Sequence, residues 1–196
     1  MNVGLEERAE VASDLRVSLE RSGLTQSDFA RHLGTSATRL STYLSGSTIP
    51  SAAIYLRACR LGAAFDHARQ QGLMTPEDAA EAANRALADG DEDFALRMIL
   101  QARDDLRANA IEPGEMRRVW ERRARRIADD RFDTLFRVIV AHEFGEDAPE
   151  WASGARLEKE WIVIDPFRDA DTVRAQTPDW LGRARIFIAE RVLATA

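Results

Sequence analysis

The chain has 196 residues, of which 45% are hydrophobic and 31% are charged, and its formal net charge at pH 7 is -6. This composition excludes general disorder, and the length is sufficient for two domains, each with its own core. No apolar run approaches membrane-spanning length, and the N-terminus carries acidic residues where a signal peptide would be basic, so we expect a cytoplasmic protein. A single cysteine excludes an intrachain disulfide.

The first predicted helix lies at residues 11–22. Val11, Leu15 and Leu19 recur at the spacing of one helix face, and Gly23 marks the end of the helix. This helix would form the back of an N-terminal helical core.

Two short helices follow, joined by a tight turn at a glycine. Thr25 can cap the first helix, in which Phe29 and Leu33 share one face. Gly34 supplies the left-handed conformation that ends this helix, and Ser36 can cap the second. The predicted inward-facing residues of the second helix are Leu40, Tyr43 and Leu44. Such an arrangement is typical of a helix presented to the DNA major groove.

This segment resembles the Cro-type (XRE) helix-turn-helix, the family of phage repressors and many bacterial antitoxins. The resemblance covers about residues 10–62 and depends on several linked positions. It implies a phage-repressor-like bundle, which we place at residues 1–65, in which the helix at residues 36–45 contacts the major groove. The matching residues are Gln26, Ala30, Gly34, Ser36, Leu40, Gly46, Pro50 and Ser51.

The resemblance also implies which residues contact DNA. In this family the start of the second motif helix faces base edges, which corresponds here to Ala37, Thr38 and Thr42. Residues at the start of the first helix and after the second hold the phosphate backbone through neutral hydrogen bonds, which set the register without recognising sequence. The alternative roles of these residues are helix capping and surface solvation. The implied DNA-binding residues are Gln26, Ser36, Ala37, Thr38, Arg39, Thr42, Ser45 and Ser47.

Two departures from the family pattern weaken this surface. Ala37 stands where the family often has a long polar residue, so it offers a methyl contact instead of a bidentate hydrogen bond worth about 1–3 kcal/mol of discrimination. The loop at residues 45–49 lacks the lysine or arginine that is common there. Arg39 is then the strongest candidate to contact a guanine or a phosphate.

The charge of the chain is unevenly divided. Residues 1–62 hold seven arginines and six acidic residues, a balance of +1, whereas residues 63–196 hold 20 basic and 27 acidic residues, a balance of -7. Affinity for DNA rises with the number of phosphates that a protein neutralises. The weakly basic segment therefore predicts modest affinity per monomer, so useful binding would require two or more copies on the DNA.

Ser51 caps a fourth predicted helix, which runs to about Leu61 and completes the bundle. Residues 65–71 either extend this helix or form a short connector. Cys59 lies on this helix, where we expect a buried small hydrophobic residue and not a reactive thiol. The remaining chain, residues 75–196, predicts a mostly helical domain for dimerisation or partner binding. Its first helix begins at the start signal of Thr75 and Pro76 and continues through the alanine-rich residues 79–87, and a second helix follows at residues 94–106. The two helices form a hairpin that resembles one tetratricopeptide-like unit, without a repeat at fixed spacing.

An arginine-rich segment follows this hairpin. We predict a helix at residues 115–128, with a run of arginines at residues 117–126 around Trp120. Its apolar stripe at helical intervals favours a solvated basic face, and contact with DNA or an acidic partner is the alternative. Apolar residues at positions 132–140 predict one more helix, which ends near Gly145.

The last fifty residues place Trp151, Trp161 and Trp180 among prolines and glycines. This pattern predicts a packed, partly irregular region with short strands at residues 161–164 and 185–188. We expect the tryptophans to be core residues, with a dimer or partner interface as the alternative.

Catalytic and metal-binding patterns are lacking. His142 and Glu143 resemble half of a zinc-protease motif, but the second histidine is missing. The sequence contains no nucleophile elbow and no glycine-rich phosphate loop. We therefore expect a protein that is not an enzyme and that binds no cofactor and no metal.

Together these features predict a mainly α, sequence-specific DNA-binding regulator, interpreted as a repressor that binds double-stranded DNA as a homodimer. The alternative is an antitoxin that neutralises a cognate toxin through its C-terminal domain and autoregulates through its N-terminal domain. The segments 132–135 and 186–190 resemble the accessory region of some actinobacterial regulators of the same class, which implies the antitoxin role.

Overall fold

The computed structural model describes residues 3–108, 119–121 and 123–194. It is mainly helical, as predicted, and it divides into two compact units. The first unit contains residues 3–73 and 119–121, and the second contains residues 74–108 and 123–194. The predicted domain boundaries, at residues 1–65 and 75–196, stay predictions. Within the described ranges, no helix combines the length and the apolar character that crossing a membrane requires.

Within residues 3–73, four helices build the first unit, and their order is the predicted one. The first begins earlier than expected, because residues 3–10 favour a helix but lack the apolar stripe that marks a buried face. The fourth continues past Leu61 to Gln70, which confirms the alternative in which the residues after 65 extend it. The helices are α1 (Val3–Ser22), α2 (Gln26–Leu33), α3 (Ala37–Leu44) and α4 (Ala52–Gln70).

The core of the first unit forms where α1 and α4 pack together and where α2 and α3 cover them. Among its fully buried side chains are Leu15, Phe29, Leu33 and Leu40. A polar contact adds to this packing, since the Tyr55 hydroxyl on α4 donates a hydrogen bond to Oδ2 of Asp14 on α1 at 2.6 Å. This hydrogen bond and burial raise the pKa of Tyr55 above its ordinary value.

The second unit combines helices with a short sheet. The predicted strands are confirmed but shorter, and they pair in parallel, with Trp161 opposite Ile186 and Ile162 opposite Phe187. A 3-10 turn, Gly145–Asp147, follows the third helix of this unit. The elements are α5 (Pro76–Ala88), α6 (Glu92–Ala108), α7 (Asp130–Phe144), β1 (Trp161–Ile162), α8 (Ala170–Ala175), α9 (Asp179–Arg183), β2 (Ile186–Phe187) and α10 (Glu190–Leu193).

The helix predicted at residues 115–128 is wrong for its second half, because residues 123–128 are irregular. Their backbone donors bond to side chains from other elements instead of to carbonyls one helical turn back. The N–H of Ile127 donates to Oδ1 of Asp133 at 3.1 Å, and the N–H of Ala128 donates to Oδ1 of Asn84 at 2.7 Å. Residues 115–118 and Arg122 lie outside the described residues.

Three tryptophans of the second unit pack against side chains of α7 and remain half-buried. The ring centroid of Trp151 lies 6.0 Å from that of Phe136, and the centroid of Trp161 lies 4.9 Å from that of Phe132. Trp180 stacks on His142 of the same helix. The prediction that these tryptophans are core residues is therefore wrong in part, because they pack on one helix but are not fully buried.

The two helices α1 and α4 approach each other closely where they cross, and a substitution at Gly62 tests this packing. A Cβ atom added to Gly62 would lie 2.6 Å from the carbonyl oxygen of Ser18, so Gly62→Ala should lower the free energy of unfolding by about 1–3 kcal/mol. The loss should occur although alanine favours a helix over glycine by about 1 kcal/mol. Urea denaturation measures the effect. Gly4→Ala on α1, where a Cβ has no atom within 4 Å, should be neutral or stabilising, and equal behaviour of both variants would contradict this packing.

A buried carboxylate predicts the acid sensitivity of the second unit. Arg191, the N–H of Phe167 and Arg168 all donate to Asp165 and lower the pKa of this carboxyl to about 2. Its stabilising contribution is complete above the ordinary aspartate pKa and is lost as the pH falls through about 2. Asp165→Asn should therefore unfold more easily at pH 7, and its deficit should shrink between pH 4 and pH 2 in denaturation curves.

The control for this prediction is Asp171→Asn, which removes an exposed carboxylate that pairs with Arg174 at 3.1 Å. Exposed pairs contribute little, so its effect should be small at every pH. A deficit of Asp165→Asn that stays constant down to pH 2 would contradict the assigned role.

Candidate DNA-binding surface

The predicted turn between α2 and α3 is confirmed in detail. Thr25 begins α2, since its Oγ1 accepts the Asp28 N–H at 3.2 Å and donates to the Asp28 carboxylate at 2.7 Å. Gly34 ends the helix with φ 71° and ψ 34°, in the left-handed region. Its N–H donates to the Arg31 carbonyl at 3.1 Å, and the N–H of Thr35 donates to the Ala30 carbonyl at 2.9 Å. These two bonds form a Schellman motif, which ends the helix sharply.

The helix α3 starts directly after this turn and has two distinct sides. Oγ of Ser36 accepts the N–H of Arg39 at 3.1 Å and so caps the helix. The predicted inward side is confirmed for Leu40 and Tyr43, which are buried, and Leu44 is half-buried. On the opposite side Ser36, Thr38, Arg39 and Ser41 are exposed, and Ala37 and Thr42 are half-buried.

Two groups of the predicted backbone-contacting residues flank α3. At its start, Nε2 of Gln26 donates to the carbonyl of Ala37 at 3.2 Å, which ties the beginning of α2 to the beginning of α3. At its end, the hydroxyl oxygens of Ser45 and Ser47 lie 2.8 Å apart, and Ser45 donates to the Thr42 carbonyl at 3.1 Å. The structure therefore brings all the predicted DNA-binding residues to α3 and the positions beside its two ends. Their contact with DNA stays a prediction.

Several arginines of the first unit are engaged inside the unit, which the sequence did not indicate. Nε of Arg16 donates to the carbonyl of Leu44 at 3.0 Å, and Nη1 of Arg57 donates to the carbonyl of Leu33 at 2.8 Å. Both contacts place a cation at the negative end of a motif helix, where it is favourable. A count of arginines from the sequence therefore overstates the positive charge that is available to phosphates.

Arg39 differs from these arginines. Its side chain is exposed, and within the described part of the chain its guanidinium makes no hydrogen bond or ion pair. A guanidinium carries five donors in a rigid fork that suits guanine or phosphate. Arg39 is thus free to bind an external acceptor from the exposed side of α3.

Comparison with known protein families agrees with this geometry. A family model described as a helix-turn-helix domain matches residues 10–69. No curated protein and no solved structure matches the chain. The matched segment contains the capped helix pair and its turn, so residues 10–69 are a helix-turn-helix domain, and the class of protein defined by this domain is a DNA-binding regulator.

Proposed function

We propose that this chain is a sequence-specific transcriptional repressor of the Cro type (XRE family), which contacts bases in the major groove of double-stranded DNA with α3. The observation that carries the proposal is the outward side of α3. This side presents Thr38, Arg39 and Ser41 to solvent, while Leu40 and Tyr43 hold the opposite side in the core. In this proposal the protein acts by binding and not by catalysis, without a cofactor or a metal.

The contacts divide by chemistry into base and backbone contacts. Arg39 supplies the strong donor for a guanine or a phosphate, and Ala37 offers a methyl contact to a thymine. Thr38 and Thr42 contribute hydroxyl and methyl groups at the bases. The neutral donors assigned to the phosphate backbone are Gln26, Ser45 and Ser47. Ser36, which caps α3, lies at the margin of the surface that contacts the bases.

The shortage of free cations supports binding as a homodimer. With Arg16 and Arg57 bound to backbone carbonyls, a single first unit neutralises few phosphates. A two-fold dimer can place two copies of α3 about 34 Å apart, which is one turn of DNA. The binding free energies of the two copies then add. We therefore expect an operator with two half-sites.

The second unit has a feature that favours a protein partner. Ile164 is 91% exposed and Phe167 is 83% exposed, on a turn that the buried carboxylate of Asp165 holds in place. Large exposed apolar side chains often mark interaction sites. The same feature suits the second candidate function, an antitoxin that binds its toxin through this unit. Co-purification with the product of a neighbouring gene would support the antitoxin, and purification as a homodimer alone would support the repressor.

The proposal is tested by recovering genomic fragments that the intact protein binds. Gly34→Val should lose these fragments, because valine strains a backbone with φ 71° and disturbs the angle between α2 and α3. Gly90→Val is the matched control, because Gly90 has φ 79° in a turn of the second unit. This control should recover the same fragments as the native chain. Circular dichroism shows whether Gly34→Val is folded. If the folded variant also recovers these fragments, α3 is not the DNA-binding element.

The role of Arg39 is tested on a fragment recovered in this way. Arg39→Ala should weaken binding about 5- to 150-fold, which corresponds to losing about 1–3 kcal/mol for one arginine contact. Arg97→Ala, which removes an exposed arginine over the ring of Phe94 in the second unit, should leave affinity unchanged. Fluorescence anisotropy titrations measure both, and equal affinities of the two variants would contradict the assignment.

A further inference from the structure

The second unit contains a cleft of about 410 Å³ that the proposed DNA contacts do not use. Its lining includes Val138, Ala141 and His142 of α7 and Trp180 and Arg183 of α9. Residues of the segment 152–156 complete the lining. Its volume lies within the range of roughly 300–1,000 Å³ that is usual for small-molecule sites.

An aromatic pair forms part of the cleft wall. The imidazole of His142 and the indole of Trp180 are stacked, with centroids 4.1 Å apart and planes inclined by 3°. Beside them Val138 and Ala141 give an apolar surface. An aromatic and aliphatic lining suits a ligand with an apolar, aromatic body.

The charge at the cleft comes from arginines that pair with no carboxylate of the described residues. Many arginines of the second unit do pair, as in Arg123 with Asp133 at 2.6 Å and Arg131 with Glu92 at 2.6 Å. Arg156 and Arg183 both line the cleft, and neither makes an ion pair with any residue that the structure describes.

The contacts of the Arg183 side chain leave most of its donors available. Its Nε lies 3.4 Å from the carbonyl oxygen of Asp179, a long hydrogen bond within α9. None of the described residues that line the cleft is acidic. The cleft therefore combines two available guanidinium groups with an apolar, aromatic wall.

We propose that this cleft binds a small organic anion with a planar apolar body, such as an aromatic carboxylate. Guanidinium groups bind carboxylates through charge-assisted and often bidentate hydrogen bonds, which supply the polar recognition. The aromatic pair and the aliphatic wall bury the body of the ligand. This site is independent of the DNA contacts assigned to α3.

The test uses indole-3-acetate as the probe and the full chain as the protein. Isothermal titration calorimetry should show saturable binding of indole-3-acetate. The uncharged indole-3-acetamide should bind at least about tenfold more weakly, because a hydrogen bond between charged groups is lost. Arg156→Gln and Arg183→Gln should each weaken binding of indole-3-acetate about tenfold. Arg125→Gln is the matched control, since Arg125 is exposed in the same unit but does not line the cleft.

A second measurement locates the bound probe. The indole N–H resonance of Trp180 should shift with saturation on addition of indole-3-acetate, while that of Trp161, which packs on Phe132, should not. Absence of saturable binding, equal binding of the acid and the amide, or equal affinity of Arg183→Gln and Arg125→Gln would overturn the proposal. A shift at Trp161 alone would also overturn it, because the probe would then bind elsewhere.

Discussion

The exposed side of α3 depends on the backbone conformation of Gly34. At φ 71° this residue lets its own N–H and that of Thr35 close the end of α2, so the chain turns within three residues and α3 begins at Ala37. Because this turn sets the direction of α3 relative to α2, Leu40 and Tyr43 enter the core on one side of α3. The polar residues of the other side are then directed outward. An L-residue with a branched side chain disfavours this conformation, so the geometry of the whole surface depends on one glycine.

The internal use of arginine makes this surface rigid and at the same time limits its charge. Arg16 and Arg57 hold the C-terminal ends of α3 and α2, and the hydrogen bond from Gln26 joins the two helix starts. A helix pair that is fixed at these points loses little conformational entropy on binding, which favours affinity. Fewer cations remain for phosphates, which lowers affinity and its dependence on salt. These opposing effects agree with a proposal in which Arg39 and neutral groups of α3 contact the bases, and strength comes from two copies.

The motif could be predicted from sequence because each of its signals is local. The caps Thr25 and Ser36 act on an N–H three residues ahead, and Gly34 is identified by the helix that it ends. Features that depend on distant residues could not be predicted in this way. Arg16 and Arg57 bond to carbonyls 28 and 24 positions away, so no window of sequence shows that they are engaged.

The same limit explains the error in the arginine-rich segment. Its apolar residues do recur at helical intervals, and Ile127 is buried as that pattern predicts. The backbone is nevertheless held by Asn84 on α5 and by Asp133 on α7, and neither bond follows from periodicity. For the candidate site, the positions of the surface residues along the chain could be predicted from sequence. The number of cations available to DNA could not.

Charge counted along the sequence also conceals the character of the second unit. Residues 63–196 have a balance of -7, yet many of the described arginines there pair with carboxylates, as Arg174 does with Glu160. This segment has more carboxylates than basic groups, so its composition alone would allow every arginine a carboxylate partner. The described cleft lining contains Arg156 and Arg183 and no acidic residue, which is therefore a consequence of the fold and not of the composition. The overall negative charge repels anions, but salt screens this repulsion beyond about 8 Å at physiological ionic strength. At the cleft itself, the charged groups of the described lining are the guanidinium groups of Arg156 and Arg183.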